Sequence, residues 1–242
     1  MLRIRTGVVG IPFVDMIDQN LDRAVFLAGS ESAQRIAKVR AADRQSFIPQ
    51  RSQHFKNIEG WSFKNFPSLP GLETTSGPLG EGLSQAIGIS LAARLDNKKY
   101  YVYCITSDGE HEEGNTWEAA MFAGKNRINN LIQIIDRNNI QIDGFTEDIM
   151  PLEPLKEKYE AFNWEVLETD GNNIRTFIDT VREARAIVEK PVVIIAHTIP
   201  GMGVDFMEKD FHWHGKPPNK EEAKKALGEL RTLQGKIQSE HE

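Results

Sequence analysis

The chain has 242 residues, of which 40% are hydrophobic, and 29 Lys and Arg against 35 Asp and Glu give a net charge of −6. This composition is typical of a folded globular protein and excludes a disordered or fibrous chain. The acidic balance argues against general nucleic-acid binding, and no run approaches the ~18 apolar residues that span a bilayer. We therefore expect one large α/β domain that binds neither nucleic acid nor a membrane.

A break in charge and pattern divides the chain near Leu69. Residues 1–68 contain ten Lys and Arg against six Asp and Glu, net +4, which leaves 19 and 29, net −10, for residues 69–242. Before the break, short apolar stretches lie between polar segments, whereas apolar and amphipathic stretches alternate regularly after it. We interpret residues 1–68 as an atypical amino-terminal segment and predict that it packs poorly against the domain formed by residues 69–242.

From Leu69 onward the sequence predicts alternating helices and strands. The Gly-rich turn TTSGPLGEG precedes the first helix, and Asn115 is predicted to cap the second. This alternation predicts a three-layer α/β fold, in which helices cover both faces of a mainly parallel sheet. The first predicted helix ends near Leu95, and the others cover about 115–127, 174–189 and 220–235. The predicted strands cover 100–106, 131–135, 164–168 and 191–196.

The single cysteine, Cys104, lies in the apolar stretch YYVYCIT. We predict that it is a buried strand residue and not a nucleophile. One cysteine forms no internal disulfide, which is typical of a reducing compartment, and we expect a cytoplasmic protein.

Two predicted strands end in polar segments, SDGE at 107–110 and DRNN at 136–139. Either segment alone is more often an ordinary turn. If the strands are neighbours, however, Asp108 and Asn138 meet at the carboxyl edge of the sheet, where open α/β sheets bind ligands. Their oxygens suit Mg²⁺, Gly109 permits close approach of a diphosphate, and two helix N-termini offer N–H groups to an anion. The combination predicts a metal-bridged diphosphate site.

The same segments resemble the amino-terminal half of transketolases. Asp108, Gly109 and Glu110, followed thirty positions later by Asn138, resemble the thiamine diphosphate motif that begins Gly-Asp-Gly and ends at an Asn. In particular, the sequence is similar to the split form of transketolase, in which this half is a separate subunit. The similar stretches are LPGLETTSGPLGEGLSQAIG, EEGNTWEAAMFAGKNRINNLIQIIDRNNIQIDG and WHGKPPNKEEAKKAL.

The resemblance implies a role for each matching residue. Two of them are implied in catalysis: His214, which would touch both the diphosphate and the substrate, and Glu113, which would relay across the subunit interface toward the catalytic Glu of the other half. The metal Mg²⁺ would be held by Asp108, the Asn138 side chain and the Ile140 carbonyl. The cofactor thiamine diphosphate would be seated by Gly77, Pro78, Leu79, Gly109, Asn138 and His214.

The activity that the resemblance implies is transfer of a two-carbon ketol unit from a ketose phosphate to an aldose phosphate. The implied partner is a carboxyl-terminal transketolase subunit, in a heterotetramer or in a homodimer formed through the cofactor interface. Two alternatives stay open: a cofactor-binding remnant without turnover, and a related enzyme such as 1-deoxyxylulose-5-phosphate synthase. The Ile-Asp-Gly ending at Gly144 favours transketolase over the synthase.

The sequence departs from the family upstream of Leu69. Family members carry three His-containing segments there, whose imidazoles bind the diphosphate and the sugar, but the only His before position 111 is His54, which matches none of them. Lys64 stands where the His of a Gly-His-Pro segment would fall. Three explanations stay open for residues 1–68: divergence, a misplaced start, and a wrong reading frame up to about Leu69.

Two further His residues receive no catalytic role. The family usually has an apolar residue at the position of His111, and His197 ends a predicted strand, where we expect hydrogen-bonded packing.

Overall fold

The structure is a computed structural model that describes residues 24–28 and 78–239. Two 3₁₀ segments, Gly109–Glu112 and Phe211–Trp213, accompany its helices and strands. The strands are β1 (Ala24–Ala28), β2 (Tyr101–Ser107), β3 (Leu131–Arg137), β4 (Ile140–Gln141), β5 (Gly144–Phe145), β6 (Glu165–Asp170) and β7 (Val192–His197). The helices are α1 (Glu81–Leu95), α2 (Gly114–Lys125), α3 (Thr146–Ile149), α4 (Leu155–Ala161), α5 (Ile174–Ala186) and α6 (Lys220–Ser239).

Five of these strands form a parallel sheet in the order β1-β2-β3-β7-β6. The strands β2 and β3 are neighbours, with Ser107 opposite Asp136 at their carboxyl ends. The remaining two strands, β4 and β5, form a short antiparallel ribbon directly after β3, with Ile140 opposite Phe145. The two polar segments of the sequence therefore leave the sheet side by side.

Helices cover both faces of the sheet, because successive residues of each buried strand point to opposite faces. In β3, Leu131 and Ile135 belong to the hydrophobic cluster that includes residues of α1 and α2, whereas Ile132 and Ile134 belong to the cluster of α5. All four side chains are at most 1% exposed. The predicted three-layer α/β fold is confirmed.

Helix α2 lies against the loop between α4 and β6. The Gly124 backbone approaches this loop so closely that an added Cβ would overlap the carbonyl oxygen of Phe162. In the same region the indole N–H of Trp164, itself 1% exposed, donates to the Ala120 carbonyl over 2.8 Å. A close backbone fit and one buried hydrogen bond thus fix the carboxyl end of α2.

The larger predicted elements of residues 69–242 are all present, with shifts of a few residues at their ends. The prediction that Asn115 caps α2 is wrong, because Glu113 is the N-cap residue and Asn115 lies in the first turn. Strand β3 is longer than predicted and includes Asp136 and Arg137. The sequence analysis did not identify α3, α4 or the ribbon β4–β5, which have two to seven residues each and are too short for periodicity to register.

Within residues 1–68, the structure describes Ala24–Ala28, which form the edge strand β1 and pair with Tyr101 to Ile105 of β2. The other residues of this segment, among them His54 and Lys64, lie outside the described residues, as does Gly77. The predicted poor packing of residues 1–68 therefore stays a prediction. In the part of the chain that the structure describes, no helix is long and apolar enough to cross a membrane.

Candidate functional site

The carboxyl ends of β2 and β3 bring the Asp108 and Asn138 segments together. The Asn139 backbone N–H donates to Asp108 Oδ2 over 2.7 Å. Gly109 lies against the ribbon, since a Cβ added to it would stand 3.3 Å from the Cβ of Gln141. The segment after β2 and the segment after β3 thus form one continuous surface.

Asp108 is fully buried at this junction, with 0% of its surface exposed. Its Oδ2 also accepts from Arg137 Nη1 over 3.0 Å, and its Oδ1 accepts from the Gly109 N–H over 2.8 Å. Burial disfavours the charged form and raises the pKa of Asp108 to about 6, although the Asn139 N–H and the Arg137 guanidinium both act to lower it. The carboxylate is therefore held in place by several donors but only partly compensated for its lost hydration.

Arg137 joins this carboxylate to the segment that follows the ribbon. The side chain is 3% exposed, and beyond Asp108 it donates to Thr146 Oγ1 over 2.9 Å, to Glu147 Oε1 over 2.6 Å and to Glu153 Oε1 over 3.0 Å. Burial acts to lower the pKa of Arg137, but these acidic partners outweigh it and the net direction is upward. The sequence analysis assigned Arg137 no role, because the sequence does not indicate which residues an Arg at a strand end contacts.

The oxygen atoms of this junction fit a hard cation. A carboxylate offers about four acceptor positions; Asp108 Oδ2 accepts two hydrogen bonds and Oδ1 accepts one, which leaves an Oδ1 lone pair for a metal. The Asn138 Oδ1 accepts from the Ile140 N–H over 3.0 Å, which holds this amide against the start of β4. Carboxylate, amide and carbonyl oxygens are the ligand types that Mg²⁺ takes. In the described ranges, no group of three or more His, Cys, Asp or Glu side chains could hold a metal ion, so a site here needs amide and carbonyl oxygens.

The Gly-rich turn lies beside the same junction. Gly80 adopts a left-handed conformation with φ 82° as the N-cap residue of α1, and an added Cβ would overlap Asn115 Oδ1. Its N–H donates to Glu110 Oε1 over 2.9 Å, and Glu110 is 0% exposed. Burial raises the pKa of Glu110 above the ordinary range of a glutamate. Sequence reasoning gave Glu110 no function beyond its place in the motif.

Glu113 lies at the start of α2, next to this turn. It is the N-cap residue of α2 and makes no side-chain capping bond. A Cβ added to Gly80 would stand 2.9 Å from the Cβ of Glu113. The first turns of α1 and α2 therefore lie together, and helix N-termini carry unpaired N–H groups that favour an anion.

His214 follows the 3₁₀ segment Phe211–Trp213, which packs against the ribbon that carries Ile140. The Phe211 ring contacts the Phe145 ring edge to face, with 5.6 Å between centroids. This contact brings the His214 segment to the same side of the domain as the junction of β2 and β3.

His197 and His111 take part in local hydrogen bonds. His197 Nε2 lies 2.9 Å from Glu168 Oε2, in agreement with the hydrogen-bonded position that we expected. His111 is 1% exposed, with Nδ1 2.9 Å from the Ser107 carbonyl oxygen and Nε2 2.8 Å from the Tyr159 hydroxyl. Burial lowers the pKa of His111 to about 4, so this imidazole is neutral at neutral pH.

Comparisons with known proteins identify a family and several named relatives. Residues 57–233 match the family described as the thiamine diphosphate binding domain of transketolase. The chain is 44% identical over 187 residues to an apulose-4-phosphate transketolase subunit of Actinobacillus succinogenes, covering 77% of this chain and 67% of that protein. It is 42% identical over 160 residues to a 6-deoxy-6-sulfo-D-fructose transketolase subunit of a Clostridium species, covering 66% and 58%.

The fold comparison agrees as well. The crystal structure of transketolase from Campylobacter jejuni superposes with a TM-score of 0.71 at 28% identity, covering 86% of this chain and 34% of that one. The chain therefore belongs to the family of the transketolase thiamine diphosphate-binding domain. It spans about three-fifths of the length of two subunit relatives, 62% for the protein of Phocaeicola vulgatus and 58% for that of Clostridium.

Proposed function

We propose that this chain is the amino-terminal subunit of a split transketolase. With Mg²⁺ and thiamine diphosphate, it transfers a two-carbon ketol unit from a ketose phosphate to an aldose phosphate. The proposal is supported by the family of the chain and by three relatives whose names describe transketolase subunits.

The observation that carries the proposal is the contact between the Asp108 and Asn138 segments. The 2.7 Å bond from the Asn139 N–H to Asp108 ties the buried carboxylate to the segment that carries Asn138 and Ile140, and the Gly-rich turn is tied to Glu110, two residues after Asp108. A diphosphate is stabilised both by a bound cation and by the N–H groups of helix N-termini.

In this proposal each site residue contacts the metal, the cofactor, the substrate or the subunit interface. Glu113 contacts the subunit interface, and His214 orients the diphosphate and the substrate. When bound, thiamine diphosphate supplies the electron sink that lets a carbon–carbon bond of a ketose break. Mg²⁺ is held by Asp108, the Asn138 amide oxygen and the Ile140 carbonyl, and the diphosphate is bound by the backbone of Gly77, Pro78, Leu79 and Gly109, by the Asn138 side chain and by His214.

The partner in this proposal is a carboxyl-terminal transketolase subunit. The names of three relatives specify a subunit, which supports an assembly of two kinds of chain. The chain aligns with 34% of the Campylobacter transketolase, and in this proposal a second polypeptide supplies the remaining part of the active site.

The experiment mixes the purified chain with a carboxyl-terminal transketolase subunit, Mg²⁺ and thiamine diphosphate, and measures ketol transfer from a ketose phosphate to an aldose phosphate. The donor panel includes apulose 4-phosphate and 6-deoxy-6-sulfo-D-fructose, which occur in the names of relatives. We expect transfer only when both chains and both cofactors are present. Cofactor binding without transfer from any donor would reject this function in favour of a binding remnant.

A further inference from the structure

Glu110 is a buried carboxylate that joins three parts of the candidate site. Its Oε1 accepts from the Gly80 N–H over 2.9 Å, and its Oε2 accepts from the Ser107 N–H over 3.2 Å. Its own backbone carbonyl accepts from Thr116 Oγ1 over 2.9 Å. The turn before α1, the end of β2 and the first turn of α2 thus all contact one residue.

The position of this carboxylate is energetically unfavourable. Glu110 is 0% exposed, and no lysine or arginine among the described residues pairs with it. The nearby charge that affects it is another carboxylate, that of Glu113. A buried anion held only by two backbone N–H groups costs folding free energy that an apolar side chain of similar size would not cost.

The contacts of the Glu110 carboxylate show its effect on the turn before α1. Gly80 adopts its left-handed conformation where Glu110 accepts its N–H, and Gly80 directly follows Pro78 and Leu79. The two oxygens of one rigid carboxylate fix the distance between the turn and the strand end that carries Asp108. A neutral or shorter side chain cannot accept from both N–H groups in this geometry.

We propose that Glu110 is a positioning residue: its carboxylate bridges the Gly80 and Ser107 amides and fixes the turn of Pro78, Leu79 and Gly80 over the carboxyl end of β2. This inference rests on the proposed function, because the turn is the part of the site that faces the cofactor diphosphate. Glu110 acts through the backbone of the turn and does not itself touch the cofactor.

The test compares Glu110→Gln and Glu110→Asp with the wild-type full chain. Gln has the same shape but places an NH₂ group against one of the two N–H donors, and Asp keeps the charge but is one methylene too short to reach both. The matched control is Glu112→Gln, two positions away, because Glu112 makes no hydrogen bond through its buried Oε1 atom to any described residue.

Two measurements are made on each protein. Amide hydrogen exchange over residues 78–83 reports the turn without any cofactor, and calorimetry with Mg²⁺ and thiamine diphosphate, in the presence of the carboxyl-terminal subunit, reports binding. We expect both Glu110 variants to exchange faster over 78–83 and to bind thiamine diphosphate about tenfold more weakly, as the loss of one charge-assisted hydrogen bond implies. The Glu112→Gln protein is expected to match wild type in both.

Other outcomes contradict the inference. Exchange over 78–83 that is unchanged in both variants would show that Glu110 does not hold the turn, and faster exchange with unchanged binding would make its contacts merely structural. A Glu110→Asp protein that behaves as wild type would mean that charge alone matters. If wild type binds no thiamine diphosphate, the proposed function fails, while the exchange comparison still decides whether Glu110 holds the turn. If Glu110→Gln does not fold, Glu110→Asp carries the comparison.

Discussion

Arg137, at the end of β3, and Asp108, directly after β2, form a buried ion pair, with Arg137 Nη1 3.0 Å from Asp108 Oδ2 and side chains 3% and 0% exposed. A buried ion pair depends on both members, because removal of one leaves an uncompensated charge without water. The proposed metal ligand therefore owes its orientation to a residue of the adjacent strand.

Replacement of Arg137 should destabilise the fold. We expect Arg137→Met to lower the free energy of unfolding by about 3–5 kcal/mol, the usual cost of leaving a buried charge unpaired. Urea denaturation followed by circular dichroism measures this. The control is Arg182→Met, whose ion pair with Asp179 is exposed and should be worth less than about 1 kcal/mol. Equal losses in the two variants would mean that the buried pair contributes no more than a surface pair.

Replacement of Asp108 should remove the metal dependence of cofactor binding. Asp108→Ala deletes the only carboxylate among the proposed ligands, so we expect the Mg²⁺-dependent affinity for thiamine diphosphate to fall by more than about 100-fold. Titration calorimetry with and without Mg²⁺ measures the change. Asp148→Ala, an exposed carboxylate of α3, is the matched control. Affinity that is unchanged by Asp108→Ala would reject this residue as a metal ligand.

The free energy of unfolding should depend on pH through the titration of His111. The unfolded chain binds a proton on this imidazole near pH 6.5, and the folded chain binds it only near pH 4. Stability is therefore lost as the pH falls through this window, by about 3 kcal/mol at its lower end. In contrast, the raised pKa of Asp108 makes the folded state bind a proton first, which acts in the opposite direction.

The His111 component is isolated by comparing wild type with His111→Gln, because the contributions of the carboxyl groups are common to both proteins. Urea denaturation between pH 4 and pH 7.5 gives the free energy of unfolding of each. We expect the difference between them to change with pH in the stated direction, with wild type losing more on acidification. A difference that is constant across this range would show that His111 titrates alike in the folded and unfolded chains.

Two glycines of the same region should respond oppositely to alanine. Gly80→Ala places a Cβ on a residue with φ 82° and against Asn115, and we expect a loss of more than about 1 kcal/mol of stability. Gly88→Ala adds a methyl in the middle of α1, where nothing lies within 4 Å, and should add about 0.5–1 kcal/mol. Thermal denaturation compares the two. A destabilised Gly88→Ala protein would mean that α1 is packed more tightly there than the structure indicates.

The sequence predicts the strands of the sheet and the helices that cover it, because long apolar and amphipathic stretches form them. The run LIQII predicts β3, and the helix that contains Phe177 and Val181 has a clear apolar side. The strand order is not readable from such runs, since β1 and β6 occupy the edges through contacts between residues far apart in the chain. The sequence leaves open whether β2 and β3 are neighbours, and the fold shows that they are.

A site residue can be predicted from the sequence where its residue type alone indicates its chemistry. It cannot be predicted where its role depends on the residues that it contacts in the fold. Asp108 and Asn138 stand out because carboxylate and amide oxygens follow strand ends. Glu110 and Arg137 do not, because a buried role for a charged residue depends on groups 30 positions or 29 positions away along the chain. The role of His111 likewise depends on Tyr159, its hydrogen-bond partner 48 positions away.

The close approach of Gly124 to Phe162 affects more than the end of one helix. Helix α2 is a stiff rod with Glu113 at its other end, and eleven residues of helix separate the two by roughly 16 Å. A side chain larger than hydrogen at position 124 would push that end outward, and the tilt would carry Glu113 away from Gly80. The close backbone crossing at Gly124 therefore constrains where Glu113 lies at the opposite end of α2.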